Sequence, residues 1–183
     1  VVMNHTFNII GIDPGTNTGI AVYTIDTNFN ILNIDTYTIL LNNYVNEDNT
    51  VLGKDSERYL VLGNLIEELL EKYNPIAIAL ESAFINKKFM GAGMKVMGYI
   101  SVILYVIKKF NPNILLCKLA PKSVKKKAGD ATANKDKMKE LVNETILQYI
   151  DIEKESEHSI DAISIGYSLL NLIKSSPYLL KFG

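Results

Sequence analysis

Phe7-Asn8-Ile9-Ile10-Gly11-Ile12-Asp13-Pro14-Gly15-Thr16 is the stretch that decides the fold. Its β-branched run favours an extended strand, and Pro14-Gly15-Thr16-Asn17-Thr18-Gly19 is a cluster of turn-formers that must end it. A strand over 7–13, a turn and a second strand over 19–25 follow. Asp13 closes the first strand. An unpaired carboxylate beside an apolar run costs several kcal/mol to bury, so packing alone does not call for it. The same pattern returns in Pro75-Ile76-Ala77-Ile78-Ala79-Leu80-Glu81, where Glu81 ends a strand. A third acid, Asp161, stands in His158-Ser159-Ile160-Asp161-Ala162, within a late helix. Several acids converging on one point need a cation, and a cation held by carboxylates commonly serves phosphate chemistry.

Between these markers the periodicity alternates in type. Residues 31–40 read as a third strand, making an antiparallel meander with the first two. Lys54 to Tyr73 has helical spacing, with Leu60, Leu62, Leu65, Ile66, Leu69 and Leu70 apolar. The fourth strand, 76–81, is continuously apolar, as in a buried sheet centre. A long helix ends near Phe110, and residues 113–118 form a fifth strand parallel to the fourth. Pro121 suits the first turn of a short helix that stops near Gly129. Helices over about 135–149 and 157–174 close the chain. The fold class is α/β, with a mixed five-stranded sheet (a three-strand antiparallel meander plus two parallel strands) flanked by helices. Neither repeat nor linker divides residues 1–183, so a single domain is expected. If the first and fourth strands are neighbours, Asp13 and Glu81 lie side by side at a sheet edge, where open α/β sheets carry ligands.

The 183 residues are 48% hydrophobic and 21% charged, the profile of an ordinary globular protein. The single cysteine, Cys117, lies in an apolar run and has no partner for an internal disulfide, which suits a reducing, cytoplasmic setting. No basic region precedes a long apolar stretch at the N-terminus, so no secretory signal is expected. Val96 to Ile107 is apolar but, at about 12 residues, short of the roughly 20 a spanning helix needs. A buried helix or a subunit interface fits it better.

Net charge is −1, yet its distribution is uneven. Nine acids face Lys54 and Arg58 between Asp26 and Glu71, a balance of −7. Eight lysines face Asp130 and Asp136 between Lys118 and Lys139, a balance of +6. Phosphate responds to that local field rather than to the total. The abundance of Lys and Asn with a single Arg reads as the bias of an AT-rich genome, and a phage of a low-GC bacterium would suit it.

From spacing alone, the Asp-Pro-Gly-Thr turn fits either an actin-like phosphotransferase or a two-metal nuclease. Glu81 after the fourth strand and the His-x-x-Asp pair on the last helix favour the second. Here the chain resembles the RuvC family of Holliday junction resolvases, within the ribonuclease H-like superfamily. Gly11-Ile12-Asp13-Pro14-Gly15 matches the family's first-strand motif, Leu80-Glu81-Ser82-Ala83-Phe84 its second acid, and Asp161-Ala162-Ile163-Ser164 its closing helix. Val124-Lys125 and Lys135 match its basic loop, although Lys126 to Asn134 differs and is shorter. His158 stands where relatives carry Asp or His.

The resemblance implies a ribonuclease H-like fold and phosphodiester hydrolysis assisted by two Mg²⁺ or Mn²⁺ ions roughly 4 Å apart. It implies Asp13 as the bridging ligand, with Glu81 on one ion and Asp161 on the other. His158, one helical turn before Asp161, shares its face and would ligate the metal or take a proton from the attacking water. Glu157 is a rival ligand. Glu153, Glu155 and Glu157 otherwise read as charges at a helix start.

Lys118, Lys122, Lys125, Lys126 and Lys127 have the density of a phosphate track, which Lys87 and Lys88 extend. Lys125 and Lys135 would also neutralise the scissile phosphate. Phe84 reads either as a core residue or as a base-stacking one. A four-way junction has two-fold symmetry, so a homodimer is implied, built on the helix from about Lys88 to Phe110 through Met90, Met94, Val96, Met97, Ile100, Ile103, Leu104 and Ile107. The functional expectation is a metal-dependent resolvase of Holliday junctions or branched DNA. A broader debranching nuclease for forks, flaps and three-way junctions is the alternative in the same class. An actin-like phosphotransferase or a non-catalytic DNA-binding relative is the alternative outside it.

Overall fold

The computed structural model describes residues 5–45, 54–82, 90–119 and 146–180. Five strands form one sheet: β1 (Phe7–Asp13), β2 (Asn17–Ile25), β3 (Ile31–Leu40), β4 (Ala77–Glu81) and β5 (Leu115–Leu119). Their order is β3-β2-β1-β4-β5. β1, β2 and β3 pair antiparallel, while β4 runs parallel to both β1 and β5. The expected meander and parallel pair are both present. Three long helices accompany the sheet: α1 (Lys54–Tyr73), α2 (Met90–Phe110) and α3 (Glu157–Ser175). The helix expected after Pro121 and most of the one expected over 135–149 fall outside the described residues. No helix among the described residues is long and apolar enough to cross a membrane.

The strand alternation sorts side chains between two cores. Ile9, Ala21, Tyr23, Ile25, Ile34, Ala77 and Ala79 pack with α3 on one face. Ile10, Ile12, Ile20, Val22, Ile39, Ile78 and Leu80 pack with α1 and α2 on the other. Buried on both faces, the central strands need apolar residues at nearly every position, which is why 9–12 and 77–80 read as continuous runs. α1 stops where Asn74 takes a left-handed φ of 42° ahead of Pro75. Its N–H bonds the Leu70 carbonyl at 2.8 Å, closing the helix end.

α1 and α2 pack against each other on the second face, with Gly63 letting Val102 and Val106 approach. Lys109 Nζ reaches Glu67 Oε1 at 2.9 Å across the pair. Of the residues expected to line a subunit contact along α2, Val96 and Leu104 are half-buried, and five others fall into two sets. Ile100, Ile103 and Ile107 are buried against the sheet. Met94 and Met97 are exposed, with Tyr105 beside them along the helix. Helical periodicity explains the split, since 100, 103 and 107 form the inward row.

Of the three long helices described, α3 is the most deeply buried, with Ile160, Ala162, Ile163, Ile165, Leu169, Leu170 and Ile173 all enclosed. Tyr23 anchors it from the sheet, its fully buried hydroxyl donating to the Ile163 carbonyl at 2.6 Å. Burial pushes the Tyr23 phenol well above its ordinary 10.0, so the folded state keeps this proton and loses stability as pH climbs through the alkaline range. Tyr23→Phe should lower stability by about 1–2 kcal/mol through the lost buried bond, measurable as a shifted urea midpoint with an unchanged slope.

Candidate active site

β1 and β4 are parallel, with Ile12 opposite Leu80. The next residues, Asp13 and Glu81, therefore end neighbouring strands at the same sheet edge. Alternation puts both on the α3 face. Gly11 lies directly against α3, where an added Cβ would run into the Gly166 amide and Ala162 carbonyl. Ala77 and Ala79 belong to the α3-side core, so Glu81 follows them in phase.

α3 crosses these strands with its N-terminus at the Asp13 end. Gly19, paired with Asp13 across β1 and β2, receives the His158 carbonyl where a side chain would otherwise stand. Further along, Gly166 packs against Tyr23, the strand neighbour of Ile9. The helix thus runs opposite to β1 and delivers its first turns to the strand ends. His158 Nδ1 comes within 3.3 Å of Asp13 Oδ2, with the imidazole 36% and the carboxylate 16% exposed. Asp161, one turn later, is half-buried. The helix N-terminus also carries partial positive charge toward this acidic corner.

The turn between β1 and β2 is closed by Thr18, whose hydroxyl donates to the Gly15 carbonyl at 2.7 Å. From outside, Thr16 is held by Leu41, whose N–H bonds its carbonyl at 3.0 Å. The Tyr99 hydroxyl of α2 lies 3.2 Å from the Thr16 hydroxyl. Asp13 therefore sits beside a braced turn.

The start of α3 is built differently from the sequence expectation. Ser156 is the N-cap, accepting from the Ser159 N–H, and Glu155 accepts from Thr36 Oγ1 at 2.8 Å rather than only charging the helix start. Glu157 is exposed. The sequence reading overlooked Gly19, Thr16, Tyr99, Thr36 and Thr38. A Ser-x-x-Ser sequence ahead of a helix is the one local signal that pointed toward this arrangement.

Lys118 is exposed on β5, opposite Leu80 in register. Alternation therefore assigns it to the α1/α2 face, away from Asp13 and Glu81. Phe84, Lys87, Lys88, Lys122, Lys125, Lys126, Lys127 and Lys135 lie outside the described residues.

Among the described residues, no three His, Cys, Asp or Glu side chains gather closely enough to hold an ion as they stand. The chemistry of the donors nonetheless fits a divalent cation. Two carboxylates end adjacent strands on one face, and an imidazole and a third carboxylate share the first turns of the helix laid over them. Oxygen donors with one imidazole suit Mg²⁺ or Mn²⁺.

Known proteins are similar to this chain in both fold and sequence. The Protochlamydia amoebophila crossover junction endodeoxyribonuclease RuvC is 26% identical over 177 residues, covering 96% of this chain and 99% of that protein. Its counterpart from Orientia tsutsugamushi (strain Boryong) is 28% identical, covering 87% and 92%. The solved structure of Thermus thermophilus RuvC matches the fold with a TM-score of 0.69 at 20% identity, over 92% of this chain and 96% of that one. T. thermophilus RuvC in complex with Holliday junction substrate matches at 0.68 and 18%, over 93% and 96%. The family model for crossover junction endodeoxyribonuclease RuvC matches residues 9–168, a span holding Asp13, Glu81, His158 and Asp161 alike. The chain belongs to the RuvC family of crossover junction endodeoxyribonucleases.

Proposed function

We propose that this chain is a metal-dependent endonuclease that resolves four-way DNA junctions by paired phosphodiester hydrolysis, acting as a homodimer in the cytoplasm. One observation carries the reading: Asp13 and Glu81 end neighbouring parallel strands on one sheet face, and His158 reaches Asp13 from the helix across them. Asp13, Glu81, Asp161 and His158 would hold two divalent ions. The imidazole tilts preference toward Mn²⁺, because Mg²⁺ strongly favours oxygen. When bound, such ions supply an activated water and neutralise charge on the phosphate and leaving oxygen.

The chain's own residues do the rest. Asp13 lies where both strand and helix can fix its orientation. With Nδ1–H of His158 donated to the Asp13 carboxylate, the ring's lone pair stands on Nε2, the nitrogen able to ligate or to accept a proton. The Gly19 and Gly11 contacts hold α3 close enough for that geometry. Lys122, Lys125, Lys126, Lys127 and Lys135 would bind the DNA backbone without reading sequence, Lys125 and Lys135 nearest the scissile phosphate; Lys118, on the opposite sheet face, drops out of that track. Lys87 and Lys88 would extend that track, and Phe84 would stack on an unpaired base.

A second copy completes the enzyme because each two-fold junction needs two cuts. The exposed row on α2 supports this, with Met94 at 66%, Met97 at 42% and Tyr105 at 69% exposure on one helix. Side-by-side digestion of four-way, three-way and flap substrates in Mn²⁺ tests the function. Paired, symmetric nicks confined to the four-way junction are expected. Equal cutting of all three would replace resolution by general debranching, and no cutting would remove the nuclease assignment.

A further inference from the structure

We propose that Thr36 and Thr38 are positioning residues of this site: the edge strand β3 clamps the first turn of α3 and so sets where His158 and Asp161 stand relative to Asp13. The inference rests on the metal-site reading above and deepens it.

One row of residues crosses the sheet. Asp13 pairs with Gly19, and Gly19 pairs with Thr38. The start of α3 lies along this row group by group. The His158 imidazole meets Asp13, the His158 carbonyl rests on Gly19, and the Ser156 hydroxyl lies 2.6 Å from the Thr38 hydroxyl. One row back, Thr36 pairs with Ala21 and donates to Glu155 Oε1 at 2.8 Å.

Ser156 passes the constraint into the helix. Its Oγ accepts from the Ser159 N–H at 3.0 Å, and the Ser159 hydroxyl donates back to the Ser156 carbonyl at 2.9 Å. Ser159 is 1% exposed and sits directly between His158 and Ile160. The cap hydroxyl is thus itself fixed from the sheet, which an ordinary solvent-facing cap does not require.

Alternation makes the choice of threonine informative. Ile34, Thr36 and Thr38 share the α3 face of β3. Ile34 meets the apolar body of the helix, and apolar residues at 36 and 38 would serve burial equally well. Hydroxyls stand there because the polar helix start lies opposite. Gly19 alone gives close contact but little resistance to sliding, having no side chain. Two short side-chain bonds on the outer strand stop the helix from pivoting about that contact, and ligand placement depends on such outer partners.

The test uses the full chain carrying Thr38→Val, Thr36→Val/Thr38→Val, or Thr38→Ser. Mn²⁺ alone is titrated calorimetrically, thermal melting is followed, and single-turnover junction cleavage is measured across Mn²⁺ concentrations. Both valine variants should melt cooperatively, bind Mn²⁺ about tenfold more weakly and cut about tenfold more slowly at fixed Mn²⁺. The KM for junction DNA should stay within about twofold, since DNA contacts are untouched. Thr38→Ser should keep wild-type Mn²⁺ affinity, because it retains the hydroxyl. Valine variants with lowered melting but wild-type Mn²⁺ affinity and cleavage would overturn the clamp and leave only a structural bond. If the double variant does not fold, Thr38→Val alone decides by the same readings. A wild-type protein that binds Mn²⁺ yet cuts no branched DNA would refute the nuclease reading, while the Mn²⁺ titration still decides the clamp. A wild-type protein that binds no Mn²⁺ would overturn both.

Discussion

Asp13→Asn should abolish junction nicking while leaving junction binding nearly intact. The substitution keeps shape and removes one negative charge, so it separates chemistry from folding. Asp13 is the acid that both the sheet register and the helix contact single out. It ends β1 beside the end of β4, and it is the carboxylate that His158 touches. An amide there gives up the anionic oxygen that a divalent ion requires. A loss of at least about 10³-fold in cleavage rate, near 4 kcal/mol of barrier, is the expected scale. Gel-shift affinity in Ca²⁺ or EDTA should change by no more than about threefold, since phosphate contacts to lysines dominate DNA affinity. Cleavage within about tenfold of wild type would refute the metal role of Asp13. Loss of binding together with cleavage would mean that Asp13 acts through the fold.

The acids were legible because each breaks a local rule. Asp13 and Glu81 stand at the ends of β-branched, buried runs where packing has no use for charge, and that mismatch shows within a ten-residue window. The sheet followed from the same windows, since a run buried on both faces reads differently from a strand at the edge. The contacts that seat the start of α3 on the sheet were not legible. Gly19 reads as one more turn-former after Pro14 and Gly15, yet it is the seat of the His158 carbonyl. A glycine required by a distant helix looks identical, in sequence, to one required by a nearby turn. Thr36 and Thr38 read only as members of the third strand, because their partners Glu155 and Ser156 lie 119 and 118 positions away. On α2 the apolar residues surround the helix so fully that periodicity could not tell the sheet-facing row from the exposed one. In each case the missing information was a contact between distant segments.

Gly19→Ala should be among the most damaging glycine-to-alanine changes at the described residues, and the reason is that backbone lies on the other side. The new Cβ would overlap the His158 carbonyl group and crowd the Ser159 amide. A flexible side chain could turn aside, but these atoms belong to the first turn of α3. That turn is pinned by its cap at Ser156 and by the buried helix behind it. Relief must come from lifting α3 off the sheet or bending β2, and overpacking of this kind costs about 3 kcal/mol or more. At this chain length that is a drop of roughly 10 °C in melting temperature. Function should suffer beyond stability, because lifting the helix start withdraws His158 and Asp161 from Asp13, and a misplacement near 1 Å can cost about 10²-fold. Gly91→Ala is the matched control. No described residue lies within 4 Å of a Cβ at Gly91, an exposed position in the first turn of α2. There alanine should be neutral or stabilising by up to about 1 kcal/mol through helix propensity. If Gly19→Ala melts and cleaves like Gly91→Ala, α3 is not seated on β2 as described, and the route by which His158 reaches Asp13 must be redrawn.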